Sequence, residues 1–175
     1  MEKNLTIIEI RMRLLRERIG FTQNELANLL GVSRSLIGIW ENGYANISLK
    51  QIIKIAAIYK VPLDYILGIT NKIDYNIKYT YITKMNLKFI GEKIKEIRKK
   101  EGLTQEKFAN KIDTKRSSIS YYEIGRMMIS TADLKQICET FGFSSDYIVG
   151  NTKTNIKRKK VNKLKTKNIK EIITN

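Results

Sequence analysis

The sequence contains no histidine and a single cysteine, Cys138. These two shortages exclude a His/Cys zinc site, an intrachain disulfide and the catalytic pairs in which histidine activates serine or cysteine. No apolar run approaches the roughly 20 residues that span a membrane as a helix. The N-terminus lacks the apolar core of a signal peptide. We therefore expect a cytoplasmic protein that uses no metal or other cofactor.

Acidic residues are also scarce relative to basic ones. The chain of 175 residues has 33 lysines and arginines against 17 aspartates and glutamates, a formal net charge of +16. This imbalance indicates a polyanionic partner, either nucleic acid or an anionic membrane surface. Half of the net charge lies in the last 23 residues, 153–175, which carry nine basic residues and one acidic residue.

The segment 153–175 is predicted to be a flexible basic tail. A run of like charges is generally disordered until it meets a polyanion, and nonspecific attraction to phosphates is its obvious use. Two alternatives remain open, a tail that only keeps the chain in solution and a tail that lies on a membrane surface. The apolar residues of the segment form no clear amphipathic face, which disfavours the membrane.

An internal repeat organises the chain. Residues 16–70 align without a gap with residues 98–152, and 19 of the 55 aligned positions are identical. Self-similarity at a fixed offset, here 82 residues, is typical of two copies of one fold. We therefore predict four parts: domain one over 1–70, a linker over 71–85, domain two over 86–152, and the tail over 153–175.

Each repeat is predicted to consist of five short helices. Apolar residues fall at helical spacing, and a serine or threonine stands where most helices would begin. Thr6 with Glu9 and Thr22 with Glu25 have the spacing of a capping box. Glycines such as Gly31 mark the helix ends. The other predicted caps are Ser33, Ser48, Thr104, Thr114, Ser130 and Ser144.

Two segments carry a recognisable motif. They read TQNELANLLGVSRSLIGIWENG over 22–43 and TQEKFANKIDTKRSSISYYEIG over 104–125. In each, a small residue, Ala27 or Ala109, stands where two helices must approach closely. The motif resembles that of the lambda-repressor-like helix-turn-helix family, also called Cro-type or XRE. The resemblance covers most of the chain and implies an all-α fold of two five-helix domains in tandem, each binding DNA through its third helix in the major groove.

The resemblance also implies which residues touch DNA. The third helix contacts base edges near its start, where arginine can bond bidentately to guanine O6 and N7. A glutamine at the start of the second helix contacts a phosphate, which the backbone amides of a helix N-terminus also favour. The implied contacts are Gln23, Ser33, Arg34, Ser35 and Ile39 in repeat one, and Gln105, Lys115, Arg116, Ser117, Ser118, Tyr121 and Arg126 in repeat two.

Several of the residues assigned to DNA contact also have a purely structural interpretation. Arg34 and Arg116 could be ordinary solvated helix residues, and the two glutamines could simply extend an N-terminal cap. Arg126 could hold a phosphate or belong to a solvated loop. The resemblance further implies an internal ion pair in each repeat, which we interpret as structural: Arg16–Glu41 and Arg98–Glu123.

The two repeats differ in the surface of the third helix. In repeat one, Leu36 and Ile39 are apolar, a pattern suited to thymine methyl groups or to contact with a protein. Repeat two presents cations and hydroxyls instead, and Asp113 replaces the glycine of the turn. Because aspartate tolerates a left-handed backbone better than most residues, we expect the turn to survive. Repeat two is thus the better match to a DNA-binding surface.

These patterns together predict a sequence-specific double-stranded DNA-binding transcriptional regulator, expected to be a repressor, that uses one or both repeats. The alternative is a protein-interaction module in which repeat one mediates dimerisation or partner docking and only repeat two binds DNA. An enzyme such as a Mg²⁺-dependent nuclease is disfavoured, because it would need clustered carboxylates and the acidic residues here are scattered.

The linker contains a candidate β-strand over residues 73–81. Apolar and polar residues alternate there, the period-two pattern of a half-buried strand. A lone strand leaves its backbone groups unpaired, and pairing with the same strand of a second chain would satisfy them. We therefore expect a homodimer with this segment as its seam; the alternative is a flexible linker. The apolar positions are Ile73, Tyr75, Ile77, Tyr79 and Tyr81.

Overall fold

A computed structural model describes residues 5–73, 77–82 and 84–155 of the chain. Within these ranges the backbone forms ten α-helices and no β-strand, which confirms the all-α fold class. The described residues fall into two compact units, of which the first ends at Ile73. None of the helices in these ranges has the length and apolar character of a transmembrane segment. The same ranges contain no group of three or more Cys, Asp or Glu that could hold a metal ion.

Five helices form the first unit. They are α1 (Ile7–Arg18), α2 (Gln23–Leu30), α3 (Arg34–Glu41), α4 (Leu49–Tyr59) and α5 (Leu63–Ile66). The predicted capping box at the start of α2 is present, since the amide of Glu25 donates to Thr22 Oγ1 at 3.2 Å and the amide of Thr22 donates to the Glu25 carboxylate at 2.7 Å. The box at the start of α1 is present as well, and Ser33 and Ser48 cap α3 and α4 as predicted.

Five helices also form the second unit. They are α6 (Leu87–Lys100), α7 (Gln105–Lys111), α8 (Arg116–Glu123), α9 (Thr131–Phe141) and α10 (Ser145–Val149). Thr104 and Ser130 cap α7 and α9 as predicted. The predicted cap at Thr114 is wrong, because the N-cap residue of α8 is Lys115, while the Thr114 amide donates to the carbonyl oxygen of Ala109 in the turn after α7. Ser144 is the N-cap residue of α10 as predicted, but its side chain is fully buried and makes no cap bond.

Each unit buries its own apolar core, built from equivalent positions of the two repeats. Fully burying one such side chain contributes roughly 1.5–3 kcal/mol to folding. Cys138 is 2% exposed and belongs to the core of the second unit. Equivalent apolar pairs that are completely buried are Met12/Ile94, Leu26/Phe108, Ile37/Ile119, Ile52/Leu134, Ile55/Ile137 and Ile66/Ile148.

Arg11 is completely buried in the first unit although it carries a charge. Its guanidinium lies 4.2 Å from the centroid of the Tyr65 ring and donates to the carbonyl oxygens of Tyr65 and Thr70 and to Asn71 Oδ1. Burial lowers the pKa of Arg11. The side chain ties α1 to the residues that follow α5. No sequence pattern marked it, because an isolated arginine in an amphipathic helix is usually solvated.

The interpretation of residues 73–81 as a β-strand is wrong for the part that the structure describes. Residues 74–76 lie outside the described residues, and the rest of the segment forms no strand. Its backbone bonds to the end of the second unit instead of to a neighbouring strand. The amide of Thr80 donates to the carbonyl oxygen of Asn151 at 2.6 Å, and the amide of Ile82 donates to Asn151 Oδ1 at 3.1 Å.

Candidate nucleic-acid interface

The third helix of each unit, α3 or α8, has one side in the core and the other at the surface. In α3, Ile37 is completely buried and Trp40 is 5% exposed; their equivalents in α8, Ile119 and Tyr122, are 0% and 4% exposed. The hydroxyl of Tyr122 also donates to Asp133 Oδ2 at 2.6 Å, which ties α8 to α9. The outward residues of both helices are therefore presented by a rigid element.

The start of α8 presents four predicted contact residues in a row. Lys115, Arg116 and Ser117 are exposed, and Ser118 is half-buried. Lys115 occupies the N-cap position, and its side chain makes no cap bond there. The row combines two cations and two hydroxyls at a helix N-terminus, where the helix dipole and backbone amides also favour an anion.

The structure brings together Tyr121 and Arg126, which the sequence assigned separately. Tyr121 is 40% exposed one turn along α8, and the Arg126 guanidinium lies 5.2 Å from the centroid of its ring. The quadrupole of an aromatic ring attracts a cation in this position. Arg126 thereby lies beside the helix face that carries Ser117 and Ser118. The sequence patterns had not singled out the apolar residues exposed nearby: Ile124, Met127 and Met128.

The surface of α3 is less charged than that of α8. Ser33, Arg34 and Ser35 are exposed. Ser33 Oγ accepts the Leu36 amide at 3.3 Å and lies 3.1 Å from Ser35 Oγ, so the Ser33 hydroxyl serves the helix start. Ile39 is 39% exposed, and Leu36 is half-buried. This surface therefore combines a single cation, Arg34, with two apolar side chains, as the sequence predicts.

An ion pair holds the third helix of repeat one against the first. Arg16 donates from Nε and Nη2 to Oε1 and Oε2 of Glu41 at 2.6 and 3.0 Å, and from Nη1 to the carbonyl oxygen of Phe21 at 2.8 Å. Glu41 is completely buried. Hydrogen bonding to Glu41 raises the pKa of Arg16. The pair joins α1, the residue preceding the α2 cap and the end of α3.

The same network recurs in repeat two. Arg98 donates from Nε to Glu123 Oε1, from Nη2 to Glu123 Oε2 at 3.0 Å, and from Nη1 to the carbonyl oxygen of Leu103 at 2.9 Å. Hydrogen bonding to Glu123 raises the pKa of Arg98. Both ion pairs implied by the family resemblance are confirmed.

The two glutamines predicted to contact phosphates lie against these ion pairs. Gln23 Nε2 donates to Glu41 Oε2 at 3.0 Å, and Gln105 Nε2 donates to Glu123 Oε2 at 3.0 Å. Both glutamines are half-buried. The sequence patterns assigned glutamine and glutamate to separate roles and missed this contact. A signal was present, because arginine, glutamine and glutamate recur together at the same spacing in both repeats.

Comparisons with known proteins match each unit to a helix-turn-helix family. A helix-turn-helix family matches residues 12–66, and a helix-turn-helix domain family matches residues 91–154. Over 83 residues the chain is 32% identical to the uncharacterized HTH-type transcriptional regulator YobD of Bacillus subtilis, a match that covers 47% of this chain and 70% of YobD. The chain belongs to the XRE-type helix-turn-helix family.

A second relative of this tandem XRE-type protein is the antitoxin PezA of Streptococcus pneumoniae. The two are 42% identical over 64 residues, which are 37% of this chain and 40% of PezA. The match thus spans less than half of the length of PezA. No solved structure matches the XRE-type protein significantly.

The turn of the XRE-type motif is left-handed in both repeats. Gly31 ends α2 with a φ of 69°, and Asp113 follows α7 with a φ of 53°. Aspartate visits this region more readily than most residues with a side chain. The turn before α8 is therefore formed without glycine, as the sequence predicts.

Proposed function

We propose that this XRE-type protein binds double-stranded DNA at specific sequences and regulates transcription as a repressor. The observation that carries the proposal is the row from Lys115 to Ser118 at the surface of α8, a helix whose other side is buried in the core. A single α-helix fits the width of the major groove. The row is therefore suited to reach base edges and phosphates in that groove.

The side chains on α8 divide between bases and phosphates in this proposal. Arg116 is the candidate for bidentate contact with guanine O6 and N7, the commonest specific contact made by arginine. Lys115 and Arg126 lie on either side of it in sequence and are candidates for phosphates, which fix the register of a protein on the duplex. Ser117 and Tyr121 supply hydroxyls that both donate and accept.

Repression follows from occupancy alone, because a protein seated in the major groove excludes others from the same site. The proposed activity involves no catalysis, and it places the chain in the cytoplasm with its DNA, as the sequence predicts.

Genomic-fragment selection tests the proposal: the purified chain is mixed with sheared DNA, and bound fragments are sequenced and footprinted. We expect a shared site with a protected major groove, whereas a bound pool with the composition of the input contradicts sequence-specific binding.

The basic tail is expected to steepen the salt dependence of DNA binding without changing site preference. Residues 157–175 carry eight of the nine basic residues of the tail (153–175) and lie outside the described residues. Deleting them should reduce the slope of log K against log salt by about 0.9 for each phosphate that the tail neutralises in the wild-type complex. A control chain with the eight residues changed to glutamine separates charge from length. An unchanged slope means that the tail does not touch DNA.

A second candidate function is favoured by the apolar groups on α3. Ile39 is 39% exposed beside half-buried Leu36, in place of the polar residues at these positions in repeat two. In this function repeat one docks a partner protein or a second copy of the chain, and only repeat two binds DNA. Changing both residues to serine then lowers the mass of the complex and leaves DNA affinity intact.

We further propose that the chain is a homodimer, and we place its seam at the apolar side chains of residues 73–81 and not at a paired β-strand. Ile77, Tyr79 and Tyr81 are half-buried, with exposed Lys78 between them. Replacing Tyr75 and Ile77 with aspartate is expected to halve the mass measured by light scattering at low micromolar concentration. Lys78→Asp is the matched control and should leave the dimer intact. A monomeric wild-type chain, or a double variant that stays dimeric, excludes this seam.

A further inference from the structure

A buried carboxylate in each repeat holds a glutamine amide at the edge of the proposed DNA-binding surface. Glu41 has no exposed surface and accepts the amide of Gln23, while Glu123 is 8% exposed and accepts the amide of Gln105. The proposed function gives neither glutamate a role in DNA binding. The same hydrogen bond, 3.0 Å long, is present in both repeats. It is therefore a regular feature of the motif.

The accepting oxygen is fixed in place by the neighbouring arginine. In repeat two, Arg98 donates to both oxygens of Glu123 and also to the carbonyl oxygen of Leu103, which directly precedes Thr104 at the cap of α7. Turning the carboxylate would break charge-assisted hydrogen bonds. Gln105, the first residue of α7, therefore meets an acceptor whose direction is already set.

One hydrogen of each amide remains for a ligand. An amide nitrogen carries two hydrogens, and the described residues supply a single acceptor for Nε2 of Gln105. The side chain is half-buried, so it still reaches the surface. In repeat one, a Cβ added at Gly38 would lie 3.8 Å from Oε1 and 3.9 Å from Nε2 of Gln23. The amide thus lies against α3, where a duplex bound to that helix brings its backbone phosphates.

The charges around the amide suit an anionic ligand. A solvated carboxylate beside DNA would repel phosphates, but Arg98 neutralises Glu123 and burial keeps the pair away from the surface.

We infer that Glu41 and Glu123 are positioning residues for DNA binding, each aiming the second N–H of its glutamine at a backbone phosphate. This rests on the proposed function and adds that the buried ion pair acts on DNA through the glutamine. Phosphate contacts carry no sequence information, so the effect is present on any duplex.

A double-mutant cycle in repeat two tests this role. The affinity of the full chain for a short duplex of arbitrary sequence is measured at low salt for wild type, Gln105→Ala, Glu123→Gln and the double variant. Gln105→Ala is expected to weaken binding about tenfold, the loss of one hydrogen bond to a charged group. Glu123→Gln is expected to weaken binding by a similar factor when Gln105 is present and not at all when it is alanine.

The direction of the change in DNA affinity distinguishes Glu123→Gln from a control variant. Glu106→Gln removes the same charge from an exposed residue of α7 and should leave binding unchanged or tighten it, because a negative charge near DNA has been removed. Equal weakening by Glu123→Gln in both backgrounds indicates a structural role alone and overturns the inference. A wild-type chain that binds no duplex overturns the proposed function and the inference with it.

A second measurement uses the unmodified chain, since Glu123→Gln could unfold repeat two. In NMR spectra of the side-chain amides, added DNA is expected to change the chemical shift of one Gln105 amide proton. The chemical shift of the other proton, which is hydrogen-bonded to Glu123, is expected to stay the same. If neither proton shifts, the amide does not touch DNA. If both shift, the amide leaves Glu123 on binding. Either result overturns the inference.

Discussion

Gly91→Ala is expected to unfold the second unit at temperatures at which the wild-type chain is folded. Gly91 lies on α6 against the end of α8, and a Cβ placed there would be 2.2 Å from the carbonyl oxygen of Tyr122 and 2.9 Å from that of Glu123. Both atoms belong to the backbone, so no side-chain rotation relieves the clash. Overpacking costs about 1–3 kcal/mol and occasionally more, and a clash with two backbone carbonyl oxygens belongs at the upper end of that range. For a unit of this size the midpoint should fall by at least about 10 °C in thermal denaturation followed by circular dichroism.

Gly38→Ala is the matched control for Gly91→Ala. Gly38 also lies inside a helix, α3, but a Cβ there would meet only the side chain of Gln23 at ordinary contact distances of 3.8 and 3.9 Å. Alanine is favoured over glycine in a helix by roughly 0.5–1 kcal/mol. The midpoint of the first unit should therefore rise. A Gly91→Ala chain that melts like wild type would contradict the close packing of α6 on α8.

Arg116→Ala is expected to reduce affinity for a selected site about 5- to 150-fold, the range for the removal of one bidentate hydrogen-bonded pair with a base. Lys115→Ala should weaken binding as well, whereas Arg34→Ala should have the smallest effect. The reason is that α8 presents Arg116 with Lys115 and two serines beside it, while α3 surrounds Arg34 with apolar groups and a serine used as a cap. Fluorescence anisotropy with labelled duplexes measures all three.

Controls separate base contact from a general decrease in charge. Lys99→Ala removes an exposed cation from α6 and should weaken specific and nonspecific binding to the same small extent. Arg116→Ala should weaken specific binding much more than nonspecific binding. Equal decreases in affinity at Arg34 and Arg116 indicate symmetrical use of the two repeats, and an unchanged affinity at Arg116 contradicts the assignment of base contact to α8.

The helices and their boundaries could be predicted because the signals are local. Thr22 and Glu25 satisfy each other across three residues, and Gly31 needs only its own backbone freedom to end α2. Because the motif occurs twice, each of these local signals could be compared with its equivalent in the other repeat. Asp113 is an example: its place opposite Gly31 in the repeat predicted a left-handed residue, and the structure has one.

The features that the sequence analysis missed or predicted wrongly depend on tertiary contacts. Arg11 is buried because carbonyl oxygens from residues more than 50 positions later accept its hydrogens, and no periodicity encodes that. The alternation over 73–81 predicts a strand, yet the amides of Thr80 and Ile82 donate to Asn151. Period two predicts an extended backbone with one shielded face, and it does not specify the acceptor.

The candidate site was predicted as a set of residues and not as an arrangement. The repeat and the family resemblance singled out Gln105 and the ion pair of Arg98 with Glu123. They could not show that one carboxylate accepts hydrogen bonds from both other side chains, because three helices must pack before these groups meet. The stacking of Arg126 on Tyr121 was hidden for the same reason.

Guanine methylation interference tests most directly whether α8 reads base edges in the major groove. A selected duplex is methylated sparsely at guanine N7, an atom exposed in that groove, and bound and free fractions are compared for wild type and Arg116→Ala. We predict that methylation at one or two guanines blocks binding of the wild-type chain and that Arg116→Ala loses this sensitivity. Binding of the wild-type chain that is indifferent to methylation at every guanine would contradict base reading by Arg116.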